Sequence, residues 1–168
     1  MVRCALTQTS NAYPAMPARL EDLTQLAPKL SDLRRFNTAH NLELAAEAKG
    51  MGARVVCLGE LFASPFLWPG QPEDALKGPT IKEVCKAAYE NALIIIAPLY
   101  ELDRENRYST AVVVDERGII LGRTRRTHIA GDETERIHAG AALGPVFDTT
   151  AGKLAVALGY DRHFEGVV

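Results

Sequence analysis

Three positions of this sequence, Glu60, Arg126 and Gly159, lie at the ends of apolar runs that are predicted to be strands. Active sites of α/β proteins collect at the carboxyl ends of their strands. A carboxylate beside an apolar wall can act as a general base, and a fixed cation can stabilise a developing oxyanion. An acid, a cation and a sharp turn at three strand ends therefore predict a catalytic constellation.

Each of these positions also has a plain structural explanation. Glu60 could be a surface carboxylate at the start of a loop, and the basic strand end at Arg126 could simply be solvated. That strand end also contains Arg123, Arg125 and His128. The loop that follows holds three acids for which solvation is again the simpler explanation: Asp132, Glu133 and Glu135.

The turn after Leu158 is the most informative feature, because Gly159 has no side chain that could attack a substrate. The next polar residues, Asp161, Arg162 and His163, could form a network that shapes the strand end. No Ser or Cys lies near them in sequence, so a Ser–His–Asp arrangement is not supported.

Composition predicts an ordinary protein with a single domain over residues 1–168. The net charge of −2 gives no sign of nucleic-acid binding, and no apolar run approaches the roughly 20 residues that span a bilayer. The N-terminus does not resemble a signal peptide, so we expect a cytoplasmic protein. The three cysteines, Cys4, Cys57 and Cys85, fit neither a disulfide framework nor a zinc site and are expected to be buried and inert.

The elements that must position these residues alternate at first and later form hairpins. The predicted strands are Val2–Thr9, Arg54–Leu58, Leu93–Ala97, Ser109–Val114, Ile119–Arg126, Val146–Phe147 and Lys153–Leu158. The predicted helices are Pro79–Asn91 and a segment from Asn37 to Gly50 or Gly52. Prolines predict an irregular insert with short helical pieces at about 10–37, and residues 62–71 are predicted to be a loop. The order β-α-β-α-β-β-β-β-β indicates a mixed α/β fold.

Several of these segments resemble the nitrilase, or carbon–nitrogen hydrolase, superfamily. The resemblance covers nearly the whole chain outside the 10–37 insert and is strongest toward N-carbamoyl amidases and β-ureidopropionase-like members. The matching segments are Val2–Thr9, Gly52–Phe62, Gly78–Thr80, Ala97–Glu101, Tyr108–Gly122, Arg125–Ile129 and Gly144–Glu165. It implies the N-terminal portion of a four-layer α-β-β-α sandwich with a mixed sheet.

The resemblance implies roles for individual residues. Glu60 matches the family's catalytic glutamate, Arg126 stands at the position of its catalytic lysine, and Gly159 at that of its nucleophilic cysteine. Glu133 is the best match to a second glutamate that positions the substrate, and Glu135 is the alternative. In intact members the cysteine attacks the amide or carbamoyl carbon, the glutamate takes the thiol proton, and the lysine stabilises the oxyanion.

The departures at positions 126 and 159 predict impaired catalysis. One alternative is hydrolysis by water that Glu60 activates while Arg126 clamps the anion. Another is a non-enzymatic binding or assembly module that pairs with itself or with a full-length relative. The resemblance assigns Tyr160 to substrate binding and implies a small amide or N-carbamoyl ligand, with no metal or cofactor.

Family members continue beyond the position that matches Val168, so the resemblance describes a shortened domain. We expect a sheet edge and an apolar face to be left uncovered, which favours a homo-oligomer. No membrane or nucleic-acid partner is expected.

Overall fold

The computed structural model describes residues 1–10, 12–14, 20–64 and 72–166, which form seven strands and two α-helices in the predicted order. The strands are β1 (Cys4–Leu6), β2 (Val55–Cys57), β3 (Ile94–Asp103), β4 (Asn106–Val114), β5 (Ile120–Arg125), β6 (Phe147–Thr149) and β7 (Gly152–Leu154). The helices are α1 (Leu30–Gly50) and α2 (Pro79–Asn91), with 3₁₀ helices at Leu20–Lys29, Gly131–Glu135 and Gly159–His163. None of the helices in the described ranges is long and apolar enough to cross a membrane. Most of the predicted 62–71 loop lies outside the described residues.

Five strands form one sheet in the order β1-β2-β3-β4-β5, and the sheet is mixed, as the family resemblance implies. β1, β2 and β3 are parallel neighbours, and β4 and β5 continue the sheet as antiparallel hairpins. Parallel neighbours need a crossover connection, and the segments that contain α1 and α2 supply the two crossovers. β6 and β7 form a separate two-stranded hairpin.

Alternate residues of the sheet divide the core into two layers, because successive side chains of a strand point to opposite faces. Val56 and Ile95 belong to a cluster that includes residues of α1 and α2. Their neighbours Val55 and Ile94 pack with Phe147 on the other side of the sheet. The helices therefore cover one face, and the β6–β7 hairpin packs on the opposite face.

Helix α1 begins at Leu30, whereas the sequence-based boundary at Asn37 is seven residues too late. Pro28 lies two residues before this start. Proline has no N–H to donate within an α-helix, so it is tolerated before the helix and not in its interior. Buried polar residues such as Asn37 and Asn41 interrupt the apolar periodicity of the helix, so the pattern does not show that the helix extends back to Leu30. Asn37 is 2% exposed, and its Oδ1 accepts the Ala12 N–H at 2.7 Å.

Strand β3 continues to Asp103, beyond the predicted end at Ala97, and forms a tight hairpin with β4. The predicted end is followed by Pro98, which has no N–H to donate to a neighbouring strand. The backbone of Ile96 faces β2, since its carbonyl accepts the Leu58 N–H. Pro98, two residues later, faces the same side after β2 has ended at Cys57. The missing donor therefore costs no ladder hydrogen bond.

The cysteines only partly match the expectation of burial. Cys4 is exposed because β1 is the edge strand of the sheet, which corrects the prediction for this residue. Cys57 and Cys85 are half-buried. Burial raises the pKa of both thiols, and the charge of Asp115 raises that of Cys85 further.

The β4–β5 turn and a register shift between Val113 and Val114 together set the pairing that places Arg126 at the end of its strand. The Asp115 carboxylate accepts the N–H groups of Arg117 and Ile119 at 3.0 and 2.9 Å. Gly118 has φ +76°, and a Cβ there would lie 2.6 Å from the Cys85 carbonyl oxygen. Only glycine fits this position without strain.

We therefore expect Gly118→Ala to lower the free energy of unfolding by about 1–3 kcal/mol, since it combines a strained φ with a backbone clash. Gly50→Ala is the matched control, because a Cβ at Gly50 would meet nothing within 4 Å. Urea unfolding of both variants measures the difference. Equal stabilities of the two variants would contradict the packing described for the turn.

Candidate active site

Glu60 lies in a tight turn directly beyond β2. The Phe62 N–H donates to the Gly59 carbonyl at 3.1 Å, and Leu61 has φ +52°, a conformation uncommon for a residue with a side chain. The Gly59 N–H donates to the hydroxyl of Thr7 at 3.1 Å, which ties the turn to the end of β1. Strained backbone of this kind persists where the surroundings hold it, often at functional sites.

Two groups approach the same oxygen of the Glu60 carboxylate. The Ser109 hydroxyl donates to Glu60 Oε1 at 2.9 Å, and Arg126 Nη1 lies 3.5 Å from that atom. The Glu60 side chain is 22% exposed, so it lies at the boundary between the protein and solvent. The alternative that Glu60 is merely a free surface carboxylate at the start of a loop is therefore wrong.

Arg126 is 4% exposed and follows the last residue of β5. Its Nη1 and Nη2 donate to both oxygens of Glu133, at 3.0 and 2.8 Å, and its Nε donates to the His128 carbonyl at 3.0 Å. A bidentate pair of this kind is strong and geometrically specific. The solvated alternative for this residue is therefore wrong.

Among the loop acids whose side chains the structure describes, Glu133 is the one that contacts Arg126, and its role in positioning a substrate stays a prediction. Glu133 lies within the short 3₁₀ helix Gly131–Glu135. Glu135 is exposed, and the side chain of Asp132 lies outside what the structure describes.

Gly159 lies beside Glu60 and Arg126. Its φ is +51°, and an ideal Cβ would lie 3.1 Å from Glu60 Oε2 and 2.9 Å from Arg126 Cζ. The acid, the cation and the elbow predicted from the sequence therefore face one site. The strand before the elbow is shorter than predicted, since β7 pairs with the three-residue β6 and ends at Leu154.

The elbow is attached to the segment after β5 through Asp161, which is 2% exposed. The backbone N–H groups of Thr127 and His128 donate to its carboxylate, as does the Thr127 hydroxyl, and His128 Nδ1 lies 2.9 Å away. Burial alone would raise the pKa of Asp161. The hydrogen bonds outweigh burial, so the pKa of this carboxyl lies below its ordinary value.

Arg123 and Arg125 do not reach the site, which corrects the expectation that this group of cations could hold an oxyanion. Because side chains alternate along β5, both lie on the other face from Arg126. Both bind Glu101, which is 0% exposed, and Arg125 also bonds Asp103 at 2.5 Å.

Tyr160 is 44% exposed. Its ring contacts those of His163 and Phe164, with centroids 5.1 and 5.5 Å away, and the Phe164 ring stacks on His128 at 3.6 Å. Substrate contact by Tyr160 stays a prediction. Arg162 and His163 are exposed, so the polar network predicted for the elbow is built by Asp161.

Ser109 is the functional residue that sequence reasoning missed. Its hydroxyl bonds Glu60, and its carbonyl accepts the Arg126 N–H at 2.9 Å. The sequence signal was only partial, because a turn at 115–118 predicts that β4 pairs with β5, but Ser109 lies opposite Arg126 only through a register shift between Val113 and Val114 that the turn does not predict.

A cavity of about 250 Å³ opens beside Glu60. Its other lining residues are mostly polar and include Thr7, Gln8, Thr9, Ser10 and Ser64. Over the described ranges, no group of three or more His, Cys, Asp or Glu side chains converges as a metal site.

Comparison with known proteins supplies the family. The protein-family model described as carbon-nitrogen hydrolase matches residues 23–168 of this chain. The chain is 27% identical to the beta-ureidopropionase of Arabidopsis thaliana over 176 residues, which cover 97% of this chain and 40% of that protein. It is 29% identical to the N-carbamoylputrescine amidase of the same plant over 145 residues, which cover 80% of this chain and 48% of that protein. The chain spans about half the length of the curated relatives it matches, or less.

Solved structures share the fold. An amidase from Nesterenkonia sp. in complex with acrylamide aligns with a TM-score of 0.71 at 21% identity, covering 80% of this chain and 53% of that one. A carbon–nitrogen hydrolase from Helicobacter pylori gives 0.66 at 21% identity, covering 80% and 49%. The structure thus matches about half of a nitrilase-type α/β fold.

The hydrogen bonds to Asp161 make a testable contribution to stability. We expect Asp161→Asn to lower the free energy of unfolding at pH 7 by about 1–3 kcal/mol, because neutral Asn is a weaker acceptor for the Thr127 and His128 donors. The pKa of Asp161 is depressed in the folded state, so its stabilisation is complete above the unfolded value of about 3.9 and is lost as pH falls through the folded value.

The measurement is urea unfolding of Asp161→Asn and the parent from pH 7 to pH 3, and the two stabilities should begin to converge as the pH falls below about 3.9. Asp148→Asn is the control, since that side chain is 82% exposed and pairs with exposed Lys153 at the surface. A difference that stays constant over this pH range would contradict the role given to the Asp161 charge.

Proposed function

Because this chain belongs to the carbon–nitrogen hydrolase family, we propose that it carries an amidase-type site that no longer turns over amides or N-carbamoyl compounds. The observation that carries the proposal is at position 159. Gly159 offers no nucleophilic atom there, and the Arg126 guanidinium lies where a side chain would extend. Covalent catalysis requires a nucleophile beside its base, and no nucleophilic side chain extends from position 159 toward Glu60.

The state of Arg126 also argues against hydrolysis by activated water. All three guanidinium nitrogens already donate to protein acceptors, two of them to Glu133 and one to the His128 carbonyl. An oxyanion would therefore meet a cation that is already paired with Glu133 and that has at least three of its five N–H groups engaged. Donors that stabilise a transition state are effective when they are free and already aimed at the developing charge.

The ligand class follows from the relatives. Their names describe action on ureido, carbamoyl and amide compounds. The polar cavity beside Glu60 is of a size suited to a small ligand of this kind. We therefore infer that any ligand of the site is a small amide or N-carbamoyl compound.

The first test is a direct assay of ammonia release from an N-carbamoyl amino acid, an N-carbamoyl amine and butyramide. We expect the parent chain to release no more ammonia than Glu60→Ala, since loss of a nucleophile costs on the order of 10⁶-fold in kcat. Release that depends on Glu60 would show a working hydrolase and defeat the proposal.

The second test concerns the fit between positions 126 and 159. Gly159→Cys alone would force the new side chain against Arg126, whereas Arg126→Lys removes the atoms in the way. We expect the two substitutions to be coupled by about 1–3 kcal/mol, with the double variant more stable than the sum of the single effects. Urea unfolding of the parent, both single variants and the double variant measures the coupling.

Acrylamide labelling gives an independent measure of the same fit, because acrylamide adds to the active-site cysteine in a glutamate-to-glutamine mutant of the Nesterenkonia amidase. Peptide mapping by mass spectrometry should show faster labelling at position 159 in the double variant than in Gly159→Cys. Exposed Cys4 serves as the internal standard. Additive stabilities together with equal labelling would contradict the steric argument.

A further inference from the structure

Ser109 contacts both charged residues that face position 159. Its hydroxyl donates to Glu60 Oε1 at 2.9 Å, and its carbonyl accepts the Arg126 N–H at 2.9 Å. The residue is 1% exposed, so water has little access to the hydroxyl. A buried hydroxyl bonded to a carboxylate restricts the rotation of that carboxylate.

The contacts of Glu60 divide its two oxygens. Oε1 receives the Ser109 hydroxyl and, at the longer distance of 3.5 Å, Arg126 Nη1. Oε2 lies 3.1 Å from the ideal Cβ at Gly159. Ser109 is the closer of the two donors to Oε1. The shorter hydrogen bonds of Arg126 go to Glu133 instead.

We propose that Ser109 is a positioning residue that holds the Glu60 carboxylate so that Oε2 faces the side-chain position of residue 159. The inference rests on the proposed function, in which the Glu60 carboxylate is the general base of the site. Ser109 acts through Glu60 and does not replace the nucleophile, because a residue that is 1% exposed does not present its hydroxyl to a substrate carbon.

Positioning is measured with a thiol introduced opposite Glu60, in the Arg126→Lys/Gly159→Cys background. A carboxylate aimed at this thiol accepts its proton during addition to acrylamide, so the rate should vary little between about pH 6 and pH 8. Without that base, only the thiolate reacts, and the rate should rise about tenfold per pH unit below the ordinary thiol pKa near 8.5.

We expect Ser109→Ala to change the flat profile into the steep one, as Glu60→Gln does, and Ser109→Thr to restore it by returning the hydroxyl. Thr124→Val is the matched control, since Thr124 is a buried residue of the neighbouring strand whose hydroxyl has no hydrogen-bond partner among the residues that the structure describes. Its loss should leave the profile flat, and the labelling of Cys4 should not change in any variant.

The outcomes separate the two hypotheses. A flat profile in Ser109→Ala together with a steep one in Glu60→Gln would overturn the role of Ser109 and leave Glu60 as the general base. A profile that Glu60→Gln does not alter would overturn the proposed function itself.

A second measurement uses the chain without the changes at 126 and 159, so it does not depend on the folding of the double variant. The carbon-13 shift of the Glu60 carboxyl at neutral pH should move in Ser109→Ala and return in Ser109→Thr, because one hydrogen bond to Oε1 is lost and regained. An unchanged shift in Ser109→Ala would show that Ser109 does not hold this carboxylate.

Discussion

The buried guanidinium of Arg126 is the constraint on which the rest of the site depends. A cation that is 4% exposed must be neutralised and hydrogen-bonded where it lies, or the chain would bear a large desolvation cost. Glu133 supplies a bidentate partner and Glu60 a second, longer contact. Neutralisation of this charge therefore brings the 3₁₀ helix Gly131–Glu135 and the turn after β2 to the same place at the end of β5.

Strand alternation explains how β5 can serve both faces of the sheet. Arg123 and Arg125 neutralise the fully buried Glu101 on the face that the helices cover, and Arg126 follows on the opposite face. A shift of one residue in the β4–β5 register would exchange these faces and leave Glu101 and Glu60 without their cations. The Asp115 turn and the register shift beside it therefore position residues of the site as well as pairing the two strands.

The sequence predicts much of this arrangement because its strongest signals are local. The bounds of α2 match the prediction, since Pro79 can occupy the first turn of a helix and Ala92 ends it in a left-handed conformation. Glu60 and Arg126 meet because β2 and β5 end at the same edge of one sheet, whereas Gly159 lies five residues after β7 and is held there by the hydrogen bonds of Asp161. The errors come from contacts distant in sequence. Asn37 is buried by its partners although it is polar, so the start of α1 was missed, and β3 continues through Pro98 because β2 has already ended beside it.

The close approach of the guanidinium to the bare backbone at Gly159 also limits the routes along which this sequence can change. A residue with a side chain fits at 159 only after the residue at 126 becomes shorter, and until then each single step meets a steric penalty. The two positions therefore form an epistatic pair, in which the order of substitutions decides whether an intermediate is viable. In related sequences that share this backbone, such a pair leaves a record as covariation between arginine at one position and glycine at the other.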